Sequence, residues 1–339
     1  MGMKRLTVIA ATLLIFCVAS GAEIENCRVF FTRPGRGLNR QNPQNELVIA
    51  ISRASRSILG AFYDISSKEI VDALTAAHER GIDVRLVTDD DNFDRSQVSR
   101  LIRSGIPVVC DSRGGLMHNK FAVIDGSVIW TGSYNTTGNG ARRNNNNAVI
   151  VESSRLARIY RDEFDEMFHF HVFGNRHDPR PFMPLKNRLF RQKPGAGKIV
   201  ALFAPEHDIE GEIVRSIDMA RESICFMAFS FTSDVIGEAV IRAHKRGVLV
   251  RGIFEKRGSG SRYSEFIKMK IEGIPVRTDV NPYNMHHKVF IFDSSTVITG
   301  SYNFSAGAGA RNDENVLIIR NPDIAGRYLG EFRRLYRKR

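Results

Sequence analysis

The residues around His118, MHNKFAVIDGSVIWTGSYN running on to NNNNAVI, return 168 positions later around His286 as MHHKVFIFDSSTVITGSYN running on to DENVLI, without a gap. His118, Lys120, Asp125, Gly132, Ser133 and Asn135 are thereby matched by His286, Lys288, Asp293, Gly300, Ser301 and Asn303. A chain that carries so specific a set twice offers two half-sites, and the chemistry is expected to need both.

The polar residues sit inside strand-like sequence. Residues 121–124 and 289–292 are short β-branched and aromatic runs, and the turns at 125–127 and 293–295 lead into second runs, so each copy reads as a hairpin. Alternation puts His118 and Lys120 on one face of the first strand, as it does His286 and Lys288. An imidazole and an ammonium side by side make a cationic pocket wall. The Ser and Asn of each GSYN, at the end of the second strand, add neutral donors. That set suits a phosphate: Lys and Asn hold non-bridging oxygens and stabilise the charge developing on them, while His attacks phosphorus or moves a proton.

HxKxxxxD followed by GSxN, present twice, resembles the phospholipase D superfamily, whose members pair two such motifs at one active site. The resemblance covers roughly residues 27–335 and implies an α/β fold of two tandem repeats, each a mixed β-sheet flanked by helices. It also implies a pseudo-twofold axis with the active site at the interface. Segments upstream of the motifs agree: SILGAFYDIS, KEIVDALTAAHERG and IDVRLVTDD match SICFMAFSFTS, VIGEAVIRAHKRG and VLVRGIFEK, with offsets drifting from 166 to 168. The expected organisation is a signal peptide at 1–22, a first repeat at 23–173, a basic Pro-rich linker at 174–198 and a second repeat at 199–339. Closing helices are expected at 154–168 and 322–336.

Lys4 and Arg5, an apolar run at 6–19 and the small residues Ser20, Gly21 and Ala22 read as a cleavable leader and point to a secreted or periplasmic product. The apolar run is short for a membrane anchor. Loss of the leader lowers the formal charge from +12 to +10, which still directs the chain to polyanions. The cysteines left would be Cys27, Cys110 and Cys225. In an oxidising compartment a Cys27–Cys110 bridge is an expectation, with Cys225 as a buried thiol.

Other polar residues read blandly. His78 and His244 match as helix C-terminal partners. Asp89, Asp90 and Asp91 read as a solvated loop or a cap, and no metal site is expected. Asp125 and Asp293 are expected mainly to fix their turns. One asymmetry carries more: Glu314 falls opposite Asn146. In the superfamily an acid at this place resembles the group that orients a catalytic histidine, often across the repeats. That crossing implies that Glu314 supports His118, the nucleophile, while Asn146 faces His286, the general acid; a contact within one repeat would swap the roles.

The implied reaction is phosphodiester hydrolysis through a phosphohistidine, without cofactor or metal, with Lys120, Lys288, Asn135 and Asn303 on the phosphoryl oxygens and Ser133 and Ser301 in support. Arg142, Arg143 and Arg311 beside the motifs would add phosphate contacts. A sequence-tolerant nuclease is the leading expectation, because GSYNFS and NDENVLI look like the small secreted nucleases of the superfamily. A phospholipid diesterase at an anionic membrane is the alternative, and an inactive polyanion-binding protein a third reading. With both motifs in one chain, a monomer suffices and no stable protein partner is implied.

Overall fold

The computed structural model describes residues 26–35, 41–112, 114–174 and 198–337. The expected leader lies outside the described residues, and so does the expected linker apart from Gly174 and Lys198.

Two seven-stranded sheets carry the chain. The first is built from β1 (Asn26–Phe31), β2 (Ser57–Phe62), β3 (Asp83–Thr88), β4 (Val108–Cys110), β5 (Lys120–Ile124), β6 (Val128–Gly132) and β7 (Asn147–Glu152). The second uses β8 (Ile199–Ala204), β9 (Ser223–Ala228), β10 (Leu249–Phe254), β11 (Val276–Thr278), β12 (Lys288–Phe292), β13 (Thr296–Gly300) and β14 (Glu314–Arg320). Their orders, β1-β7-β6-β5-β2-β3-β4 and β8-β14-β13-β12-β9-β10-β11, correspond strand for strand.

Helices decide which strands run parallel. The segment after β2 opens with the Ser67 side chain accepting from Ile70 N and buries Ile70, Val71, Leu74 and Ala77 along the helix Lys68–Glu79. This crossover makes β3 parallel to β2. The segments after β5 and β12 are two tight turns instead, so β6 and β13 return antiparallel. At those turns Asp125, Gly126, Asp293 and Ser294 all have φ between 47° and 65°. The Asp125 carboxylate accepts from the backbone N–H groups of Ser55, Arg56 and Ser57, and that of Asp293 from Arg221, Glu222 and Ser223. Both aspartates pin the hairpin tip to the start of the neighbouring strand, at the opposite end of the hairpin from the histidines.

Strand alternation divides the core. Phe121 and Val123 of β5 face a central cluster that also takes Val289 and Ile291 of β12, whereas Ala122 and Ile124, and Phe290 and Phe292, face outer clusters. The helices Ser154–Phe170 and Pro322–Tyr336 fill the centre with Tyr160, Phe164, Tyr328 and Phe332. Each of these aromatics contributes about 1.5–3 kcal/mol by leaving water. The two sheets therefore share one core, with the closing helices between them.

The expected Cys27–Cys110 bridge is ruled out by this topology. Cys27 lies on β1 and Cys110 on β4, the opposite edges of a seven-stranded sheet. Strands are spaced about 4.8 Å apart, several times too far in sum for a disulfide. Burial pushes the half-buried Cys225 thiol up to about 11, which makes it a poor nucleophile.

Candidate active site

The two half-sites meet where short parallel bridges join the repeats, Met117 to Asp313 and Asn145 to Met285. His118 N donates to Asp313 O at 2.9 Å, and His286 N to Asn145 O at 2.9 Å. Each histidine's backbone is thus held by the other repeat. Behind it, Thr131 Oγ1 donates to Asn315 Oδ1 and Thr299 Oγ1 to Asn147 Oδ1, both at 3.0 Å, so the pseudo-twofold relation extends into buried side chains.

Alternation then aims the candidate catalytic set. Asn119 donates to Glu163 of the first closing helix at 3.4 Å, and His287 faces Glu331 of the second at 3.5 Å. The residues on either side, His118 with Lys120 and His286 with Lys288, turn away from those helices together. All four are at least nine-tenths buried. Lys120 Nζ donates to His118 O at 2.6 Å, and Lys288 Nζ approaches His286 Nε2 and O at 3.2 Å each.

Glu314, fully buried on β14, presents both carboxylate oxygens to His118 Nδ1 at 2.8 Å. Ser301 Oγ donates to Glu314 Oε2 at 2.5 Å and Asn312 Nδ2 to Oε1 at 3.2 Å, which fixes the carboxylate. In the other half, His286 Nδ1 lies 3.0 Å from Asn146 Oδ1 and from Ser133 O, and Ser133 Oγ donates to Asn146 Oδ1. The acceptors on both rings fix the Nδ1–H tautomer and leave each Nε2 for chemistry. Gly132 and Gly300 are required by the turn into each serine: a Cβ there would fall 2.4 Å from Asn147 O and 2.1 Å from Asn315 O.

The pocket concentrates charge away from water. Burial, then the nearby Lys120 and Lys288, hold His118 well below the usual imidazole range, and His286 is lowered in the same way. Burial lowers the Lys120 ammonium to about 7, and burial together with repulsion from Lys120 holds the Lys288 ammonium well below the usual range. Burial raises the Glu314 carboxyl to about 7. Such a site is complementary to an anion, which would neutralise the two ammonium groups.

These observations gather His118, Lys120, His286, Lys288, Glu314, Ser133, Ser301 and Asn146 into one constellation. Asn135 and Asn303, two residues past each serine, are half-buried with side-chain oxygens that lack a partner among the described residues. The arginines are less central. Arg142 is paired with Glu69 at 2.6 Å, Arg143 lies over the Tyr283 ring at 5.0 Å, and Arg311 follows the helix Ala306–Ala310 as its cap.

A family model described as cardiolipin synthase, PLD-like domain, matches residues 47–168 and again 213–336. The chain belongs to the phospholipase D-like family. A phospholipase D of Rickettsia conorii is 37% identical over 132 residues, covering 39% of this chain and 66% of that protein. A mitochondrial cardiolipin hydrolase of Xenopus tropicalis is 33% identical over 126 residues, covering 37% of this chain and 60% of that protein. The matched stretch is thus less than two thirds of either relative. The crystal structure of phosphatidylserine synthase from Haemophilus influenzae shares the fold, with 13% identity and a TM-score of 0.67 over 91% of this chain and 86% of that one.

Within this phospholipase D-like frame, the structure adds residues that the motifs did not announce. The Tyr63 ring packs 5.0 Å from the His118 ring with Lys120 Nζ 5.1 Å over it, and Phe229 does the same for His286 at 4.5 Å and Lys288 at 4.7 Å. These rings close the pocket wall and present a π-face to each ammonium. Their signal was their common place at the ends of the matched strands SILGAFY and SICFMAF. Asp89 is fully buried instead of solvated: it caps the short turn Asp90–Asn92 and accepts from Met117 N at 2.9 Å, next to His118. Its counterpart by position is Glu255, which caps Lys256–Ser259. The three aspartates lie close enough to share a cation, but Asp89 spends its oxygens on these backbone groups.

Proposed function

We propose that this chain hydrolyses phosphodiesters through a covalent phosphohistidine formed on His118. The observation that carries the reading is the His118–Glu314 contact across the repeats, set against the neutral Asn146 on His286. A carboxylate on Nδ1 stabilises the cationic ring that forms when Nε2 attacks phosphorus. His286, which has no carboxylate partner and becomes doubly protonated once the bound phosphodiester anion offsets the charge of Lys120 and Lys288, gives its Nε2 proton to the leaving oxygen as the P–O bond breaks. It then takes a proton from the water that displaces His118 from phosphorus. Lys120, Lys288, Asn135 and Asn303 hold the phosphoryl oxygens through both steps. The charge stabilisation a metal would supply comes from these side chains, so activity is expected to survive excess chelator.

A polynucleotide is the preferred substrate class. Asn281 ties the segment before His286 to Arg143 O and Asn145 Oδ1 at 3.0 and 2.8 Å, so the half-exposed Tyr283 and its Arg143 stand a few residues from the catalytic histidine. A ring and a guanidinium at the mouth suit a stacked base and its phosphate, and the net charge of +10 left after the leader is removed draws the polymer. A phospholipid is the second reading, favoured by the names of the relatives. Export through residues 1–22 belongs to the same proposal; a mature protein beginning at Glu23 is its test.

The deciding experiment offers purified protein single-stranded and plasmid DNA, RNA, and vesicles of cardiolipin or phosphatidylglycerol, all in EDTA. Nucleotide release supports the polynucleotide reading and release of phosphatidic acid the lipid reading. Turnover of none of them, in protein that still melts cooperatively, would overturn the catalytic proposal.

A further inference from the structure

The two repeats share a fold but differ in what they show to solvent on one outer face. In the second repeat the turn and helix after β10 expose Tyr263 (61%), Ile267 (52%) and Ile271 (80%), and the neighbouring helix Asp234–Lys245 exposes Val235 (53%). Ile267 and Ile271 are four apart on the helix Glu265–Ile271 and so share a side. The two helices pack closely: Glu265 fills the space over Gly237, and Lys268 bonds to Asp234. At the corresponding positions the first repeat has Arg95, Ser99, Arg103 and Glu69. One scaffold therefore carries a mostly polar version, with Ile102 (43%) as its exposed aliphatic, and a more apolar version of the same face. Burial in the fold cannot account for the apolar one.

Around those apolar side chains stand the exposed Lys256, Arg257, Arg262, Lys268 and Lys270. Arg262 lies over the Tyr263 ring, and Arg257 donates to Pro282 O and Asn284 Oδ1, which links this face to the active-site mouth beside Tyr283. The exposed acids beside it are fewer: Asp234 is held by Lys268, Glu272 is paired with Lys245 at 2.9 Å, and Glu238 is one turn further along.

We propose that this face of the second repeat docks the protein on an anionic phospholipid surface. Aliphatic side chains and a tyrosine rimmed by lysines and arginines are what an interfacial membrane site requires: the apolar groups enter the headgroup boundary while the cations meet lipid phosphates. Polynucleotide would use the arginines and Tyr263 but gains nothing from Ile267, Ile271 and Val235. Docking here sets the mouth beside the bilayer whichever phosphodiester is cut, so the proposal stands apart from the choice of substrate.

The test transplants the first repeat's face: Tyr263→Arg, Ile267→Ser and Ile271→Arg together in the full chain. The sibling repeat carries these residues on the same scaffold, so folding should hold; a thermal melt and cleavage of bis-nitrophenyl phosphate are the controls. Vesicle flotation is then compared for phosphatidylglycerol–phosphatidylcholine mixtures and for pure phosphatidylcholine. The wild type should float with the anionic vesicles only, and the triple variant should partition roughly tenfold or more weakly. The variant adds two positive charges, so attraction by charge alone would strengthen its binding. Unchanged or tighter flotation overturns the proposal. So does wild-type protein that ignores the vesicles, a variant that loses only single-stranded DNA binding, or one that loses only self-association in sedimentation.

Discussion

His118 and Glu314 are 196 residues apart in sequence, yet the imidazole Nδ1 of one lies 2.8 Å from both carboxylate oxygens of the other. The contact crosses between repeats, so neither repeat completes its own histidine. Its counterpart, Asn146 on His286, is neutral, and this difference in charge breaks the symmetry of the duplicated site.

Glu314→Gln tests that relationship directly. The amide keeps the shape and a hydrogen bond but cannot stabilise the imidazolium. The first chemical step should slow roughly 100-fold or more, even with an activated nitrophenyl diester, because nucleophilicity is what is lost. Pre-steady-state release of nitrophenol measures that step. A variant impaired only on unactivated substrates would place Glu314 with the general acid instead.

The two histidines should fail differently. A nitrophenolate leaving group needs little protonation, so His286→Ala should retain a first turnover on the activated diester while His118→Ala retains none. On natural substrates each single variant should be nearly inactive and the double variant little worse, since residues acting as a unit are not additive. Half the activity in each single variant would mean two independent sites. Labelled phosphate trapped on residue 286 would reverse the assignment.

Much of this site was legible because duplication supplies its own control. The offset of 168 fixed His118, Lys120 and their partners, and the same offset exposed Glu314 against Asn146. The hairpins and the closing helices followed from periodicity, with the first helix running to Phe170, two residues past the expected end. Topological distance was not legible: Cys27 and Cys110 look like neighbours in a list of cysteines, and only the strand order puts them on opposite edges. Asp89 was legible in part. An acidic triplet reads as a solvated loop or a cap; Asp89 is the cap, and its burial follows only from the chain passing Met117 N over it. Tyr63 and Phe229 were hidden because an aromatic at a strand end is ordinarily core.

Charge crowding in the pocket predicts a pH signature. Burial raises Glu314 from 4.5 to about 7, so the folded state binds more protons there and stability falls as pH rises through that window. Lys120 is lowered from 10.5 to about 7, so the unfolded state binds more protons above 7 and stability rises with pH from there. Together the two groups contribute a minimum near neutral pH. A bound sulfate restores the protonated lysines and histidines and so takes up protons. Its increase in Tm should therefore be larger at pH 6 than at pH 8.5, read by differential scanning fluorimetry at constant ionic strength with chloride as the control. An equal increase at both pH values would mean that the anion binds elsewhere.

Removing one of the crowded charges should then exchange function for stability. Lys120 is 1% exposed, and among the described residues its Nζ has as hydrogen-bond partner only the carbonyl of His118, two residues earlier in the chain. Methionine fills the same volume without a charge to desolvate and also relieves the repulsion on Lys288. Lys120→Met should raise the Tm of the anion-free protein by a few degrees at pH 7 and below, where the cost of the buried ammonium is fully present. The same variant should lose roughly 1,000-fold or more in turnover, because a charge aimed at the phosphoryl oxygens is gone from a dry site where such charges count most. It should also lose the sulfate-dependent shift in Tm. A Lys120→Met protein that is both less stable and less active would make the lysine a structural strut of the strand end, and the charge-crowding account of the pocket would fall with it.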